Sequence, residues 1–192
     1  IETFGDRLRQ RYANELPEQG QLYIERMQDA AGRMRSLISD LLGYSRVTTK
    51  GKELVETDLN SILTDVLSDL SIRIAETKAE VNVDDLPPVF GDRTQLRQLF
   101  QNLIGNALKF SRPGVSPVVD VTVEDREDLF LFKIADNGIG FDNKFKDQIF
   151  TIFQRLHGRL EYEGTGVGLA TVRKIVERHN GTIDADGRPD EG

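Results

Sequence analysis

The chain has 192 residues, 38% of them hydrophobic and 30% charged, which predicts a folded globular chain of one ordinary domain plus an additional element. Its net charge of -7 and pI near 5.0 argue against a nucleic-acid binder, which would need a basic surface. The absence of cysteine excludes disulfides, thiolate metal sites and cysteine nucleophiles. No apolar run approaches the length of a membrane span and no signal peptide opens the chain. We therefore expect a cytoplasmic segment without membrane contact, whose parent protein is soluble or membrane-tethered.

Residues 1–46 show two helical patterns separated by a turn at residues 14–20, with Pro17 suited to the first turn of the second helix. The first pattern places apolar residues on one face: Ile1, Phe4, Leu8 and Tyr12. The second alternates spacings of four and three, as in a heptad repeat: Tyr23, Met27, Ala30, Met34, Leu37, Leu41 and Tyr44. Three further apolar residues widen that stripe: Ile24, Ala31 and Ile38. This width predicts a helical hairpin that dimerises into a four-helix bundle; the alternative is a hairpin packed on its own domain.

Residues 47–52 are predicted to break the helix and form a linker, and residues 53–192 show an α/β pattern. The predicted strands cover 53–57, 81–83, 118–124, 129–135 and 182–185. The predicted helices cover 59–74, 93–110 and 166–178, with Asp58 and Asp92 as N-caps of the first two. The fold class predicted for the whole chain is therefore α+β. A helical hairpin is followed by an α/β sandwich in which helices cover a mixed sheet.

Two amides and one ammonium share a helical face, because Asn102, Asn106 and Lys109 are spaced at i, i+4 and i+7. Leu99, Leu103 and Leu108 form an apolar anchor on the opposite side. Amide oxygens can ligate Mg²⁺, and a lysine can neutralise phosphate charge. The alternative is an ordinary solvated polar face.

Two glycine-rich loops follow that helix. In residues 136–140, Asp136 ends an apolar run, its carboxylate can accept a hydrogen bond from an exocyclic amine, and Gly138 and Gly140 allow the backbone to approach a flat base. The alternative is a simple Asp-Asn-Gly turn. Residues 164–168 run directly into a helix, where backbone N–H groups form a phosphate cradle. This second loop lacks the context of a Rossmann fingerprint and the ending of a P-loop.

In this order, residues 101–110, 136–140 and 164–170 resemble the N, G1 and G2 boxes of the ATP-binding domain shared by sensor histidine kinases, DNA gyrase and the large heat-shock chaperones. Residues 149–156 resemble the F box of the kinases. Residues 53–192 are thus similar to the catalytic domain of a sensor histidine kinase and residues 1–46 to its dimerisation hairpin. The sequences of the hairpin and of the Phe-Gln-Arg-Leu-His run at residues 153–157 resemble those of the phytochrome-type bacterial kinases.

The resemblance implies roles for the polar face. Asn102 and Asn106 would hold Mg²⁺, and Lys109 would meet the phosphates of ATP. Phe110 would pack against the adenine ring, with ordinary core packing as the alternative, and Asp136 would bind the adenine amine.

The resemblance also implies that residues 141–163 form a mobile lid over ATP, with Arg155 reaching the γ-phosphate. Phe153 in that segment is expected to pack in the core. The loop that closes the lid would contact the nucleotide through six residues: Gly164, Thr165, Gly166, Val167, Gly168 and Leu169.

The relatives that hydrolyse ATP resemble one another in placing a glutamate where Asn102 stands, and an asparagine cannot take a proton from water. The resemblance therefore implies an ATP-dependent histidine autokinase, whose phosphoryl group passes to an aspartate on a response regulator receiver domain. Three alternatives stay open: a non-catalytic dimeric scaffold, an ATPase clamp and a protein-serine kinase.

The acceptor histidine is not in this chain. His157 lies in the lid segment, and His179 lies at a predicted helix C-terminus, where a cationic residue is favourable. Neither is expected to be catalytic. By resemblance, the acceptor position of the family lies on the first hairpin helix before Ile1, and whether the parent protein has a histidine there stays open. An upstream sensor domain is expected in the parent protein, and the family's usual final strand is absent from this sequence.

Overall fold

A computed structural model of the chain describes residues 2–12, 15–127, 129–156, 162 and 164–192. The chain divides into two compact units, Ile1–Gly43 and Tyr44–Gly192. The described helices are α1 Glu2–Tyr12, α2 Glu18–Thr49, α3 Leu59–Asp69, α4 Ser71–Thr77, α5 Arg93–Lys109 and α6 Gly168–Arg178. The described strands are β1 Val55–Thr57, β2 Glu80–Val83, β3 Val89–Gly91, β4 Val118–Arg126 and β5 Leu129–Asp136. Among the described residues, no helix is both long and apolar enough to cross a bilayer.

The first unit is an antiparallel helical hairpin, as predicted. Gly5 is buried against α2, since an added Cβ would lie 2.9 Å from Cγ of Gln28. The Gln28 side chain donates to Asp6 Oδ1 over 2.6 Å, and Arg35 pairs with Glu2 further along the two helices. The earlier residue of α1 thus pairs with the later of the two α2 residues, which defines the antiparallel arrangement.

Helix α2 ends later than predicted, at Thr49 rather than near residue 46. Val47, which was assigned to the linker, is only 2% exposed, and its carbonyl accepts a hydrogen bond from Gln95 Nε2 over 2.8 Å. Thr49 Oγ1 donates to the Ser45 carbonyl one turn earlier. Burial thus overrides the low helix propensity of the β-branched residues in this stretch.

The second unit contains a mixed three-stranded sheet in the order β2-β4-β5, with β2 parallel to β4 and β4 antiparallel to β5. A separate antiparallel ribbon joins β1 to β3. Val119 and Val121 of β4 are fully buried on one face of the sheet, where residues of α3 and α5 pack against them. The prediction of an α+β fold with a mixed sheet covered by helices is confirmed.

Both predicted N-caps are confirmed. The Asp58 side chain accepts from the amide of Asn60, and that of Asp92 accepts from the amides of Thr94 and Gln95. The single helix predicted over residues 59–74 is wrong, because it breaks at Leu70 into α3 and α4. The apolar spacing gave no sign of this break, since the side chains on both sides of it pack on one core: Leu67, Leu70 and Ile74.

The strand predicted at residues 182–185 is wrong, since these residues, all of them described, form no strand. Ile183 and Ala185 are half-buried while their neighbours are exposed, which produces the alternation expected of a strand. A strand also needs a hydrogen-bonded partner, and no described strand pairs with this segment. The converse error is β3, which the sequence analysis missed because it has only three residues and follows two prolines.

We predict that Ile104→Ala in α5 lowers the free energy of unfolding by about 2–5 kcal/mol, because Ile104 is 0% exposed and truncation leaves a cavity. The matched control is Ile72→Ala in α4, where the side chain is 73% exposed and a change within about 0.5 kcal/mol is expected. Urea unfolding measures both variants. Equal losses at the two positions would show that the core described above does not control stability.

Candidate functional site

Helix α5 presents Asn102, Asn106 and Lys109 as half-buried side chains, as predicted. Its other side is anchored by Ile104 and Leu108, which are 0% and 1% exposed, so that the rotation of the helix about its axis is fixed. Asn102 Nδ2 donates to the carbonyl of Gln98 over 2.8 Å. This bond occupies the amide nitrogen and leaves Oδ1 as the atom that faces the neighbouring loop.

The loop of residues 136–140 is fastened to the end of α5. The amide of Ile139 donates to the carbonyl of Phe110 over 2.9 Å. A Cβ on Gly138 would lie 2.4 Å from the same carbonyl oxygen, a distance that side chains do not adopt. Gly140 has φ of +57°, in the left-handed region. Glycine at position 138 therefore lets the loop lie this close to the end of α5, whereas Gly140 is favoured by its backbone conformation and by the nearby carbonyl of Arg188.

Asp136 is a half-buried carboxylate at the end of β5. Burial raises its pKa above the ordinary value, and a hydrogen bond of 2.9 Å from the amide of Gly138 opposes that rise. A carboxylate has two oxygens with about four acceptor positions, so this arrangement leaves capacity for a further donor.

The second glycine loop lies directly against the polar face of α5. A Cβ on Gly168 would lie 2.7 Å from Asn102 Oδ1, and one on Gly164 would lie 3.1 Å from Lys109 Nζ. Helix α6 begins at Gly168 behind Val167, whose side chain cannot accept a hydrogen bond from the helix N-terminus. The N-terminus of α6 therefore lies beside the polar face of α5, where an anion would find backbone donors and a partial positive charge.

An aromatic pair lies beside Lys109. The ring of Phe110 lies 5.0 Å from the ring of Tyr162, at 49° to it, and Lys109 Nζ lies 4.0 Å from the Phe110 centroid. The sequence analysis missed Tyr162. Its position two residues before the glycine loop is the signal that could have identified it.

Arg155 donates hydrogen bonds to main-chain carbonyls of the second glycine loop and of the residue two positions before it. Its guanidinium donates to the carbonyl of Gly164 over 2.9 Å and to that of Tyr162 over 2.5 Å. The predicted contact of Arg155 with a γ-phosphate stays a prediction. The predicted core packing of Phe153 is wrong, because that side chain is 54% exposed at φ of +65°, whereas Phe150 is buried.

The structure thus brings the three motifs together at one end of α5, although they are separated by tens of residues in sequence. The remaining predicted residues of the second loop are Thr165, Gly166 and Leu169, all half-buried. His157 and most of residues 157–163 lie outside the described residues. Among the described residues, no cluster of three or more His, Cys, Asp or Glu side chains could hold a metal ion. The metal prediction therefore depends on the amide oxygens of Asn102 and Asn106.

Comparison with known proteins identifies the family and the fold. Residues 91–192 match the family model described as histidine kinase-, DNA gyrase B-, and HSP90-like ATPase. The chain is 40% identical, over all its 192 residues, to 26% of the phytochrome-like protein Cph1 of Synechocystis sp.. The chain spans about a quarter of the length of the curated relatives it matches.

Two solved structures show the same fold. Full-length ShkA in complex with AMPPNP is 26% identical, with a TM-score of 0.69 over 92% of this chain and 37% of ShkA. Histidine kinase ThkA, solved in complex with the response regulator protein TrrA, is 22% identical, with a TM-score of 0.67 over 98% of this chain and 54% of the ThkA chain.

We predict that Asp136→Asn stabilises the fold at neutral pH by about 0.5–1 kcal/mol, because it removes a buried charge while its amide oxygen still accepts from Gly138. The pKa of Asp136 is raised on folding, so ionisation costs stability as pH rises from the ordinary value of 3.8 upward. The advantage of the variant should therefore shrink as pH falls toward 3.8. Urea unfolding at a series of pH values measures it, with exposed Asp147→Asn as the control. A destabilised Asp136→Asn variant at neutral pH would contradict the prediction.

Proposed function

The chain belongs to the histidine kinase-, DNA gyrase B-, and HSP90-like ATPase family, and we propose that it is the dimerisation and ATP-binding core of a protein histidine kinase. The observation that carries the proposal is the contact of the second glycine loop with α5, at Gly168 beside Asn102 and Gly164 beside Lys109. It supports a site in which oxygen ligands, a cation and the N-terminus of a helix lie close together. That combination suits the binding of a nucleoside triphosphate together with Mg²⁺.

Each side chain has a proposed part in holding Mg-ATP. Asn102 and Asn106 offer amide oxygens to Mg²⁺, and Lys109 neutralises phosphate charge. Phe110 offers a ring face to the adenine, and Asp136 accepts from the adenine amine, for which its partly unsatisfied carboxylate is suited. ATP supplies the γ-phosphoryl group, while the protein's contribution is positioning and charge stabilisation.

The residue that favours a kinase over an ATPase is Asn102. An amide cannot act as a general base toward water, and its nitrogen is already bonded to the carbonyl of Gln98. We propose that the γ-phosphoryl group is transferred to a histidine on the helical hairpin upstream of Ile1, and then to an aspartate on a response regulator. The response regulator bound to ThkA, whose fold this chain shares, supports that class of partner. An upstream sensor domain is proposed to control the transfer.

Homodimerisation through the hairpin is proposed from the exposure of the heptad stripe. Ile24 and Ala31 are buried within the unit, while the stripe beside them stays in solvent: Tyr23 at 55%, Met27 at 50%, Met34 at 49% and Leu41 at 45% exposed. Four large apolar side chains on one face of a helix form the kind of surface that a second copy of the hairpin covers.

We predict that Met34→Glu shifts the protein from dimer to monomer, because it places a charge in the proposed apolar seam. Sedimentation equilibrium measures the association constant, and a loss of at least about tenfold is expected, which corresponds to about 1.4 kcal/mol. Ser36→Glu introduces the same charge at an exposed position off the stripe and should leave the dimer intact. An unchanged dimer in Met34→Glu would place the interface elsewhere.

We predict that a longer chain, extended upstream of Ile1 and incubated with Mg²⁺ and γ-labelled ATP, acquires acid-labile, base-stable label. Asn102→Ala should reduce both labelling and ATP affinity by at least about tenfold, because a proposed metal ligand is lost. Asn82→Ala, which removes an exposed amide bonded to Asp120, is the matched control. ATP binding without label would favour a scaffold, and multiple turnover to free phosphate would favour an ATPase.

A further inference from the structure

A buried carboxylate outside the candidate site joins three parts of the second unit. The Asp92 side chain is only 3% exposed. Its Oδ1 caps α5 by accepting from the amides of Thr94 and Gln95 over 3.0 and 3.3 Å. Its Oδ2 accepts from the amide of Lys52 over 2.8 Å and from Arg178 Nη1 over 3.5 Å. Burial alone would raise the pKa of Asp92, but these donors together hold it below its ordinary value, so the carboxylate stays ionised.

Arg178 extends this network to the end of α2. Its side chain is 19% exposed and donates to Gln95 Oε1 over 2.8 Å and to the carbonyl of Lys52. Gln95 in turn donates to the carbonyl of Val47 over 2.8 Å. Gly51 lies against the guanidinium so closely that a Cβ there would be 2.2 Å from Arg178 Cζ. We call this network the Asp92 clasp: Asp92, Gln95, Arg178 and the main chain of Val47, Gly51 and Lys52.

His179 supports the clasp through both of its ring nitrogens. The amide of Asp92 donates to Nε2 of His179 over 3.0 Å, so Nε2 carries no proton. Nδ1 therefore carries the proton and donates to the carbonyl of Ile175 over 2.7 Å.

The clasp is remote from the candidate site but shares both of its helices. Asp92 lies ten residues before Asn102 along α5, which is about 15 Å at 1.5 Å per residue. Arg178 lies ten residues after Gly168 along α6, again about 15 Å. The two helices thus carry site residues at one end and clasp residues at the other. Residues 47–52 are fastened at the clasp end, where α2 passes into the second unit.

We propose that Arg178 is a positioning residue for phosphoryl transfer, which holds residues 47–52 in a fixed geometry against α5 and α6. The proposal rests on the proposed kinase function. Helix α2 ends at Thr49, so residues 47–52 comprise the end of that helix and the chain that follows it. A displacement of about 1 Å between reacting groups can cost on the order of a hundredfold in rate. Loosening the clasp should therefore slow transfer without weakening the binding of ATP, because none of the residues proposed to bind ATP belongs to the clasp.

The test uses two independent perturbations in the longer chain that carries the acceptor. Arg178→Lys keeps the charge but cannot reproduce the forked donation of the guanidinium. Gly51→Ala displaces the Arg178 guanidinium by steric contact and leaves both Asp92 and Arg178 unsubstituted. The matched control is Arg97→Lys, since Arg97 makes an exposed ion pair with Asp69 elsewhere on α5. Rates of autophosphorylation are measured at saturating ATP, and the dissociation constant of ATP is measured separately.

The expected result is a rate at least about tenfold lower in both clasp variants, with the dissociation constant of ATP within about twofold of the unmodified protein and the control unchanged. An unchanged rate, or affinity and rate that fall together, would overturn the proposal. If the unmodified protein binds ATP but transfers nothing, the proposed function fails. In that case, hydrogen exchange at the amide of Lys52, which donates to Asp92, tests whether the clasp holds residues 47–52 in place independently of any kinase activity. Exchange at least about tenfold faster in Gly51→Ala supports it, and unchanged protection overturns it.

Discussion

The close approach of the second glycine loop to helix α5 is the constraint on which the candidate site depends. A side chain at Gly168 would collide with Asn102 Oδ1, and one at Gly138 would collide with the carbonyl that ends α5. Glycine at these positions lets two separate loops reach a single helix end. Any larger residue would push the loops outward and separate the oxygen ligands, the lysine and the helix N-terminus, which act together only when they face one volume.

That approach requires α5 to be held at a fixed rotation, and the hydrophobic core supplies this. Ile104, Ala107 and Leu108 are nearly inaccessible to solvent, and they alternate along the helix with the polar residues of the site. A helix has 3.6 residues per turn, so burying one stripe fixes the direction of the other. The polar face can be half-buried because its side chains form hydrogen bonds within the protein. Asn102, for example, donates to the carbonyl of Gln98. The buried face of α5 therefore stabilises the core, and the same burial determines where the polar face places the site residues.

The sequence predicted the parts of this structure that depend on short-range patterns. The caps at Asp58 and Asp92 follow from side-chain chemistry at helix ends, and the polar face of α5 follows from helical spacing. The errors occur where the outcome depends on residues distant in sequence. Val47 is helical because it is buried and bonded to Gln95. Residues 182–185 have strand alternation but no described partner strand, and Phe153 is exposed although its apolar neighbour Phe150 is buried. The Asp92 clasp joins residues more than 80 positions apart, which no local pattern can predict.

Two aspartates at strand ends in this unit, Asp92 and Asp136, show how its surroundings assign a carboxylate to structure or to binding. Asp92 is surrounded by the amides of Lys52, Thr94 and Gln95 and by Arg178, and its pKa is lowered. Asp136 accepts from the amide of Gly138, and burial raises its pKa. A carboxylate saturated with donors stabilises the fold and has little left to offer a ligand. One buried with acceptor positions to spare costs stability until a donor arrives, so the free energy lost on folding is available to favour binding. The partly satisfied carboxylate of Asp136 lies at the glycine loops and the saturated carboxylate of Asp92 lies at the clasp. This distribution is expected if one end of α5 and α6 binds a ligand and the other end holds the structure together.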